Sequence, residues 1–175
     1  MKTWKPSKAV VAAFVLGAAA ARVLAGGPSL TAASFEGKDP KEAAAAILSV
    51  AEAQAGHGSW ELIGIGRIHY LSGDKTKGQA LFDKATSLKT EASDWRRIGK
   101  VYAEAREFDK AEAALQKAVT AKSEDTTLAE LAAMLNLNGK RPEAEEAFKK
   151  SIAKDPNDFW NIVAMAGSYV GVRPD

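Results

Sequence analysis

The chain has no cysteine, only two histidines, and few aromatic residues, which make up 7% of the total. The absence of cysteine excludes a disulfide framework and any thiolate-based metal or redox chemistry. The chain also lacks a Ser-His-Asp pattern, a convincing pair of catalytic carboxylates and a complete glycine-rich phosphate loop. We therefore expect no enzyme activity, no cofactor and no metal site.

The scarcity of aromatic residues in an alanine-rich chain favours helices over strands. Acidic residues are missing from the first 25 positions, which hold four of the 24 basic residues and none of the 22 acidic ones. The rest of the chain is therefore slightly acidic, and its charge gives no reason to expect a nucleic-acid partner.

The first 25 residues are typical of a secretory signal peptide. Three lysines precede an apolar run over residues 9–21, and small residues suited to cleavage lie at Val23-Leu24-Ala25. This run is short for a membrane span. The pattern predicts export, to the periplasm in a bacterium with two membranes. The alternative is an uncleaved anchor in the inner membrane, and no other membrane contact is expected. Residues 26–38 are expected to form a linker.

Two triplets of residues recur with a period of 33. One comprises the small residues Gly78, Ala111 and Ala144, and the other the large residues Phe82, Leu115 and Phe148. In the central unit, Trp95, Ile98, Gly99 and Tyr102 fall on one stripe of a first helix, and Ala111, Leu115 and Ala118 on one stripe of a second. Small residues at a crossing allow two helices to approach closely, and large residues fill the space beside them.

This order and spacing resembles the tetratricopeptide (TPR) repeat, a two-helix unit of about 34 residues. Three full repeats fit residues 59–91, 92–124 and 125–156, within an array over residues 57–171 that is followed by a tail at 172–175. Residues 39–56 match a lone second helix, with a helix start at Asp39-Pro40. The last helix, from Phe159, matches a lone first helix. The expected fold is an all-α TPR solenoid of about three repeats with half-repeat helices at both ends.

In TPR arrays the first helices line a concave groove that binds peptides. The resemblance implies groove positions at Trp60, Ile63, Arg67, Tyr70, Arg96, Lys100, Glu104 and Asn136. Clustered side chains of Arg67, Arg96 and Lys100 would suit a peptide with an acidic group and an apolar anchor. The alternative is that they are ordinary solvated charges on helix surfaces.

The last helix differs from the usual end of a solenoid, which carries a polar outer face. No charged residue occurs from Phe159 to Val172. Either the neighbouring chain buries this helix, or it forms a docking face for another protein or another copy of this chain. Membrane contact is disfavoured, because the helix is short and has no basic face. The docking hypothesis assigns to this face Phe159, Trp160, Val163, Met165 and Tyr169.

These patterns predict an exported TPR adaptor or scaffold, without enzymatic activity, that binds a protein or peptide partner through its groove, its last helix or both. One alternative is a structural TPR protein that self-associates into a homo-oligomer. A further alternative is an accessory factor in cell-envelope assembly.

Overall fold

The computed structural model describes residues 28–56, 58–87 and 90–174. The predicted signal peptide lies outside these ranges. Within them the chain forms helices and no strand, and none of the helices is both long and apolar enough to cross a membrane. The α-helices are α1 (Pro40–Gln54), α2 (Ser59–Leu71), α3 (Lys75–Ser87), α4 (Ala92–Glu104), α5 (Phe108–Ala121), α6 (Asp125–Leu137), α7 (Arg141–Ile152) and α8 (Phe159–Tyr169).

Helix α1 belongs to a compact unit that ends at Gly56. A short 3-10 helix, Ala32–Ser34, precedes it within the predicted linker. The carboxylate of Asp39 accepts a hydrogen bond of 2.9 Å from the backbone N–H of Lys41, and Pro40 occupies the first turn. This is the predicted helix start, in which the cap satisfies a backbone donor that the helix itself leaves open. The interpretation of α1 as half of a repeat stays a prediction.

The second unit contains the repeats. Helix α2 pairs with α3, α4 with α5 and α6 with α7, and α8 packs on α6. These are the three predicted hairpins followed by an unpaired first helix. The all-α solenoid predicted from the 33-residue period is therefore confirmed. Below, "first helix" refers to α2, α4, α6 or α8, and "second helix" to α3, α5 or α7.

Small residues lie where the two helices of a repeat cross. A Cβ atom added to Gly78 would lie 2.8 Å from the carbonyl oxygen of Gly66, and one added to Gly66 would lie 2.7 Å from Cε1 of Phe82. In the next repeat, Gly99 faces Leu115 and Ala111 in the same way. The small residues recur with the 33-residue period because the backbones of the two helices approach closely at these positions and leave no room for larger side chains.

The first helices end in a repeated turn. Its left-handed residue is Gly73, Arg106, Gly139 or Gly171, with φ of 109°, 60°, 78° and 79° respectively. After this residue, the N–H of Glu107 bonds the carbonyl of Tyr102, that of Lys140 bonds Leu135, and that of Val172 bonds Gly167. These bonds satisfy carbonyl groups at the helix ends and fix the direction in which the chain leaves each helix.

Candidate protein-binding surfaces

Two of the predicted groove residues belong to the core. Ile63 is 4% exposed and Tyr70 1% exposed, and both pack within the main hydrophobic cluster. The Tyr70 ring contacts the rings of Phe82 and Tyr102 at centroid distances of 5.6 and 5.4 Å. The prediction that Ile63 and Tyr70 contact a ligand needs correction, because a peptide in the groove does not reach buried side chains.

The basic residues of the groove are paired within the chain. Arg67 donates to Glu104 at 2.8 and 3.1 Å. Arg96 donates to both carboxylate oxygens of the buried Glu130, at 2.6 and 2.7 Å. The bidentate bond to Glu130 raises the pKa of the Arg96 guanidinium above its ordinary value, although burial opposes this.

Lys100 also contacts Glu130, at 3.3 Å. The cluster of positive charge expected from Arg67, Arg96 and Lys100 is therefore largely neutralised by two glutamates. That the groove suits a peptide with an acidic group stays a prediction, made with less net positive charge than the sequence suggested.

These polar contacts connect consecutive first helices. The Ser59 hydroxyl of α2 donates to the buried carboxylate of Asp94 on α4 at 2.9 Å. The amide of Asn136, another predicted groove residue, donates to the Ser168 hydroxyl of α8 at 2.9 Å. Together with the Arg96–Glu130 pair between α4 and α6, they hold the repeats in register. Of the predicted groove residues, Trp60 and Arg67 are exposed, and the Arg97 guanidinium lies 3.5 Å from the centroid of the Trp60 ring.

A second polar cluster lies at the turn between α4 and α5. The carboxylate of Glu107 accepts from the Tyr70 hydroxyl at 2.6 Å, from Lys75 at 2.5 Å and from Lys110 at 2.7 Å. Burial alone would raise the pKa of Glu107, but hydrogen bonds from Lys110, Lys75 and Tyr70 outweigh it and lower the pKa to about 2. This cluster joins the first repeat to the second.

A cavity of about 540 Å³ opens between α4, α6 and α8 on the concave side. Its walls include Arg96, Lys100 and Glu130 and, from α8, Trp160 and Val163. The chain that follows α8 forms its remaining wall, with Val172, Arg173 and Pro174. Two residues predicted for an outer docking face, Trp160 and Val163, therefore border the groove.

The last helix keeps a large apolar surface exposed. The exposed apolar side chains on α8 and just after it are Phe159, Trp160, Ile162, Val163, Tyr169, Val170 and Val172. Met165, which was predicted on the docking face, is only 3% exposed and belongs to the core cluster. That prediction is corrected, because this side of α8 packs against α6.

The uncovered side of α8 matches, position by position, the side that other first helices turn toward their own second helix. Ile162, Ala166 and Tyr169 lie 67 residues after Trp95, Gly99 and Tyr102 of α4. In α4 these positions contact α5: Gly99 faces Leu115, and the Lys117 ammonium lies 4.1 Å from the centroid of the Trp95 ring.

The equivalence extends to a contact with the preceding repeat. The Tyr102 hydroxyl bonds Gln79 at 2.7 Å, and the Tyr169 hydroxyl lies 3.4 Å from Glu145 at the matching position. Yet Tyr169 is 47% exposed and Tyr102 only 7%. Ile162 and Ala166 were missing from the predicted docking face, although the spacing of 67 residues was visible in the sequence.

Three carboxylates meet at the start of α8. Oxygens of Asp125, Asp155 and Asp158 all lie within 4.8 Å of one another. Each has a structural partner: Asp158 accepts from the N–H of Asn161 at 2.8 Å, Asp155 from that of Asn157 at 2.9 Å, and Asp125 from the Asn161 side chain at 3.2 Å. These hydrogen bonds indicate that the three carboxylates stabilise the loop before α8.

Comparison with known proteins identifies the fold. The chain is similar to MamA, a TPR-like helical protein of known crystal structure, with a TM-score of 0.54 and 20% sequence identity over 76% of this chain and 82% of that one. No protein-family model matches the chain, and no curated protein matches it. The likeness to MamA supports a TPR-like helical solenoid as the fold of this chain.

Proposed function

We propose that this chain is a non-enzymatic adaptor that holds another protein on the uncovered side of α8. The observation that carries the proposal is the side formed by Ile162, Ala166 and Tyr169, which corresponds to a helix-packing surface in every other repeat but is exposed, with no second helix upon it among the residues that the structure describes. Exposed apolar surface of this extent on a helix end is typical of interaction sites.

The chemistry of the partner follows from the repeats themselves. The second helices present a small residue, a large one four positions later and another small one after three more, as in Ala111, Leu115 and Ala118. A partner helix with this pattern would place its small residue against Ala166, as Ala111 lies against Gly99. The partner is therefore a protein with an amphipathic helix, bound by a helix-packing mode.

In this proposal the groove does not bind the partner but stabilises the array. Its charged residues are used in contacts between helices, which stabilise the array and present α8 in a fixed orientation. A rigid receptor loses little conformational entropy when a helix docks, which favours affinity. The leader sequence at residues 1–25 supports the further proposal that this adaptor acts outside the cytoplasm, as a periplasmic protein or one anchored in the inner membrane.

Self-association is the second candidate. Helix α1 resembles a second helix without its first: Ala44, Leu48 and Ala51 lie 34 residues before Gly78, Phe82 and Ala85. Ala44 is exposed, and Leu48 and Ala51 are partly exposed. A second copy thus offers a helix of the required type. Such a contact would join unlike surfaces and build a chain or ring of copies.

The decisive experiment compares two charge variants on opposite sides of α8. Ala166→Glu places a carboxylate on the proposed docking side, and Trp160→Glu places one at the groove. Both residues are exposed, so both variants should fold as the wild type does by circular dichroism. Chemical cross-linking and mass spectrometry of proteins captured from an envelope extract then identify the partner and its contact residues.

We expect capture and cross-links at α8 to be lost in Ala166→Glu and kept in Trp160→Glu. The opposite pattern would place binding in the groove and contradict the proposal. Sedimentation of the purified chain tests the second candidate: a mass that rises with concentration and returns to a monomer in Ala166→Glu would show that the partner is another copy.

A further inference from the structure

The segment that follows α8, residues 171–174, turns back over the groove. Gly171 adopts φ of 79°, and the N–H of Val172 donates to the carbonyl of Gly167 at 2.9 Å. A Cβ atom added at Gly167 would lie 3.3 Å from the carbonyl oxygen of Val172. Two glycines thus allow the chain to leave α8 and lie close to it. We call residues 171–174 the return segment.

The return segment reaches a place where the solenoid is open. Helices α2 and α4 pack directly, and so do α6 and α8, whereas α4 and α6 make little backbone contact. The long side chain of Arg96 bridges the space between α4 and α6 by its two hydrogen bonds to Glu130. This junction between α4 and α6 forms the floor of the groove, and the same two repeats pack together through α5 and α6.

Pro174 covers this junction. It is partly buried, and it bounds a residual gap of about 10 Å³ whose other walls include Gly99 and Ala103 of α4 and Met134 of α6. A space of this size is about the minimum for one water molecule. Pro174 therefore lies close to small and apolar residues of two first helices.

We propose that the return segment is an intramolecular ligand of the groove, and that an external peptide must displace it. The proposal goes beyond the function proposed above, which places the partner on α8, and adds a second, regulated binding site in the groove. The residue that the junction holds is Pro174, which is partly buried, whereas Val172 and Arg173 stay exposed and border the cavity beside it.

Tethering explains why a weak contact would control access. The return segment is joined to α8 by a single turn, so its effective concentration at the junction is on the order of millimolar. A free peptide at micromolar concentration competes poorly with it. The measured affinity of the full chain for such a peptide is then the intrinsic affinity reduced by the fraction of molecules with an open groove.

The test measures the binding of a fluorescent peptide, Val-Gly-Val-Arg-Pro-Asp, copied from residues 170–175. Fluorescence anisotropy is recorded with the full chain and with a variant that ends at Gly171. We expect the shortened chain to bind about tenfold more tightly or better. A peptide in which Asp replaces the proline is the control for specificity, and should bind neither chain.

A second variant guards against instability of the shortened chain. Gly171→Ala keeps the composition of the return segment but forces a side chain into the left-handed region, which disfavours the turn. It should bind the peptide more tightly than the wild type and less tightly than the shortened chain. Equal binding by all three chains, or binding by none, would overturn the proposal.

This result is independent of the docking side of α8. A chain that loses its partner in Ala166→Glu but shows no peptide binding after truncation would keep the adaptor function and refute the intramolecular ligand. Peptide binding that truncation unmasks, together with capture that Ala166→Glu leaves intact, would support the groove and contradict docking on α8.

Discussion

Helices α4 and α8 occupy equivalent places in two repeats of the array, and within the described part of the chain only α4 packs against a second helix of its own. Both bury the residue that faces the preceding repeat, Ile98 in α4 and Met165 in α8, at 1% and 3% exposure. They differ three residues before, where Trp95 lies under Lys117 of α5 and Ile162 is 46% exposed, and four residues after, where Tyr102 is 7% exposed and Tyr169 47%. A first helix is therefore buried by two separate contacts, one with the preceding repeat and one with its own second helix. Within the described residues, α8 makes only the first of these contacts.

This difference distinguishes residues that fold the chain from residues available to a partner. In α8 the apolar residues on the side of α6 serve stability, and the exposed ones around Ile162 and Tyr169 are those that we propose for association. The two sides predict opposite responses to mutation.

The largest effect is expected at the crossing of α2 and α3. In Gly66→Ala the new Cβ atom meets Phe82 and the backbone of Gly78, so the free energy of unfolding should fall by about 3 kcal/mol. Urea denaturation measures it. The equivalent residue in α8, Ala166, has no second helix above it, and Ala166→Gln should change stability by less than about 0.5 kcal/mol.

A matched control for this prediction lies two residues away. Gly64 is also within α2, but an added Cβ atom there meets nothing within 4 Å. Gly64→Ala should therefore raise stability by about 0.5–1 kcal/mol through helix propensity alone. Equal destabilisation by Gly64→Ala and Gly66→Ala would show that the crossing is not the cause.

The second prediction compares the two sides of α8. Met165→Ala removes a buried side chain and should lower the free energy of unfolding by about 2–3 kcal/mol. Ile162→Ala, at a position 46% exposed, should lower it by less than about 1 kcal/mol. Thermal unfolding of both variants checks this. A large loss in Ile162→Ala would mean that this side of α8 is already covered in the free protein.

The repeat architecture was predictable from the sequence because it depends on a periodic pattern of sizes. Gly78, Ala111 and Ala144 recur at 33 residues because each meets the same backbone approach, and a period needs no knowledge of distant contacts. The helix start at Asp39-Pro40 was predictable for a similar reason, because it depends only on neighbouring residues in the sequence.

The groove was less predictable because pairing between charges is not local. Arg96 and Glu130 are 34 residues apart and face each other across two repeats, so a rule based on position within one repeat shows only the arginine. Ile63 and Tyr70 were misplaced for a related reason: their burial depends on how closely α4 packs on α2. Met165 was misassigned because an uncharged helix does not reveal which side is buried.

A third prediction concerns the pH dependence of the junction between the first two repeats. The pKa of Glu107 is lowered to about 2 from an ordinary value of 4.5. A lowered pKa in the folded state means that the charged form stabilises the fold. Its contribution is complete above pH 4.5 and is lost as the pH falls toward 2.

Glu107→Gln should therefore cost about 1 kcal/mol near pH 7, a modest figure because solvent screens the lysine partners, and almost nothing near pH 2. Urea unfolding at several pH values gives this difference. Tyr70→Phe removes one of the three hydrogen-bond donors and should reduce the pH dependence without abolishing it. A constant difference between wild type and Glu107→Gln at all pH values would contradict the shifted pKa.

The smallest effect is expected at the turn between α4 and α5, where Arg106 takes the place of the glycines at positions 73 and 139. Its φ of 60° lies in the left-handed region, which costs a residue with a side chain about 1–2 kcal/mol. Glycine removes this cost but adds conformational freedom to the unfolded chain, which offsets part of the gain.

Arg106→Gly should therefore raise the free energy of unfolding by about 0.5–1 kcal/mol. The reverse change at the equivalent turn, Gly139→Arg, is the control and should lower it by a similar amount. Chemical denaturation of the two variants and their combination measures both. A loss of stability in Arg106→Gly would contradict this prediction. It would mean that the Arg106 side chain makes a contact that stabilises the fold by more than its backbone strain costs. The turns would then share their backbone geometry but not their contribution to stability.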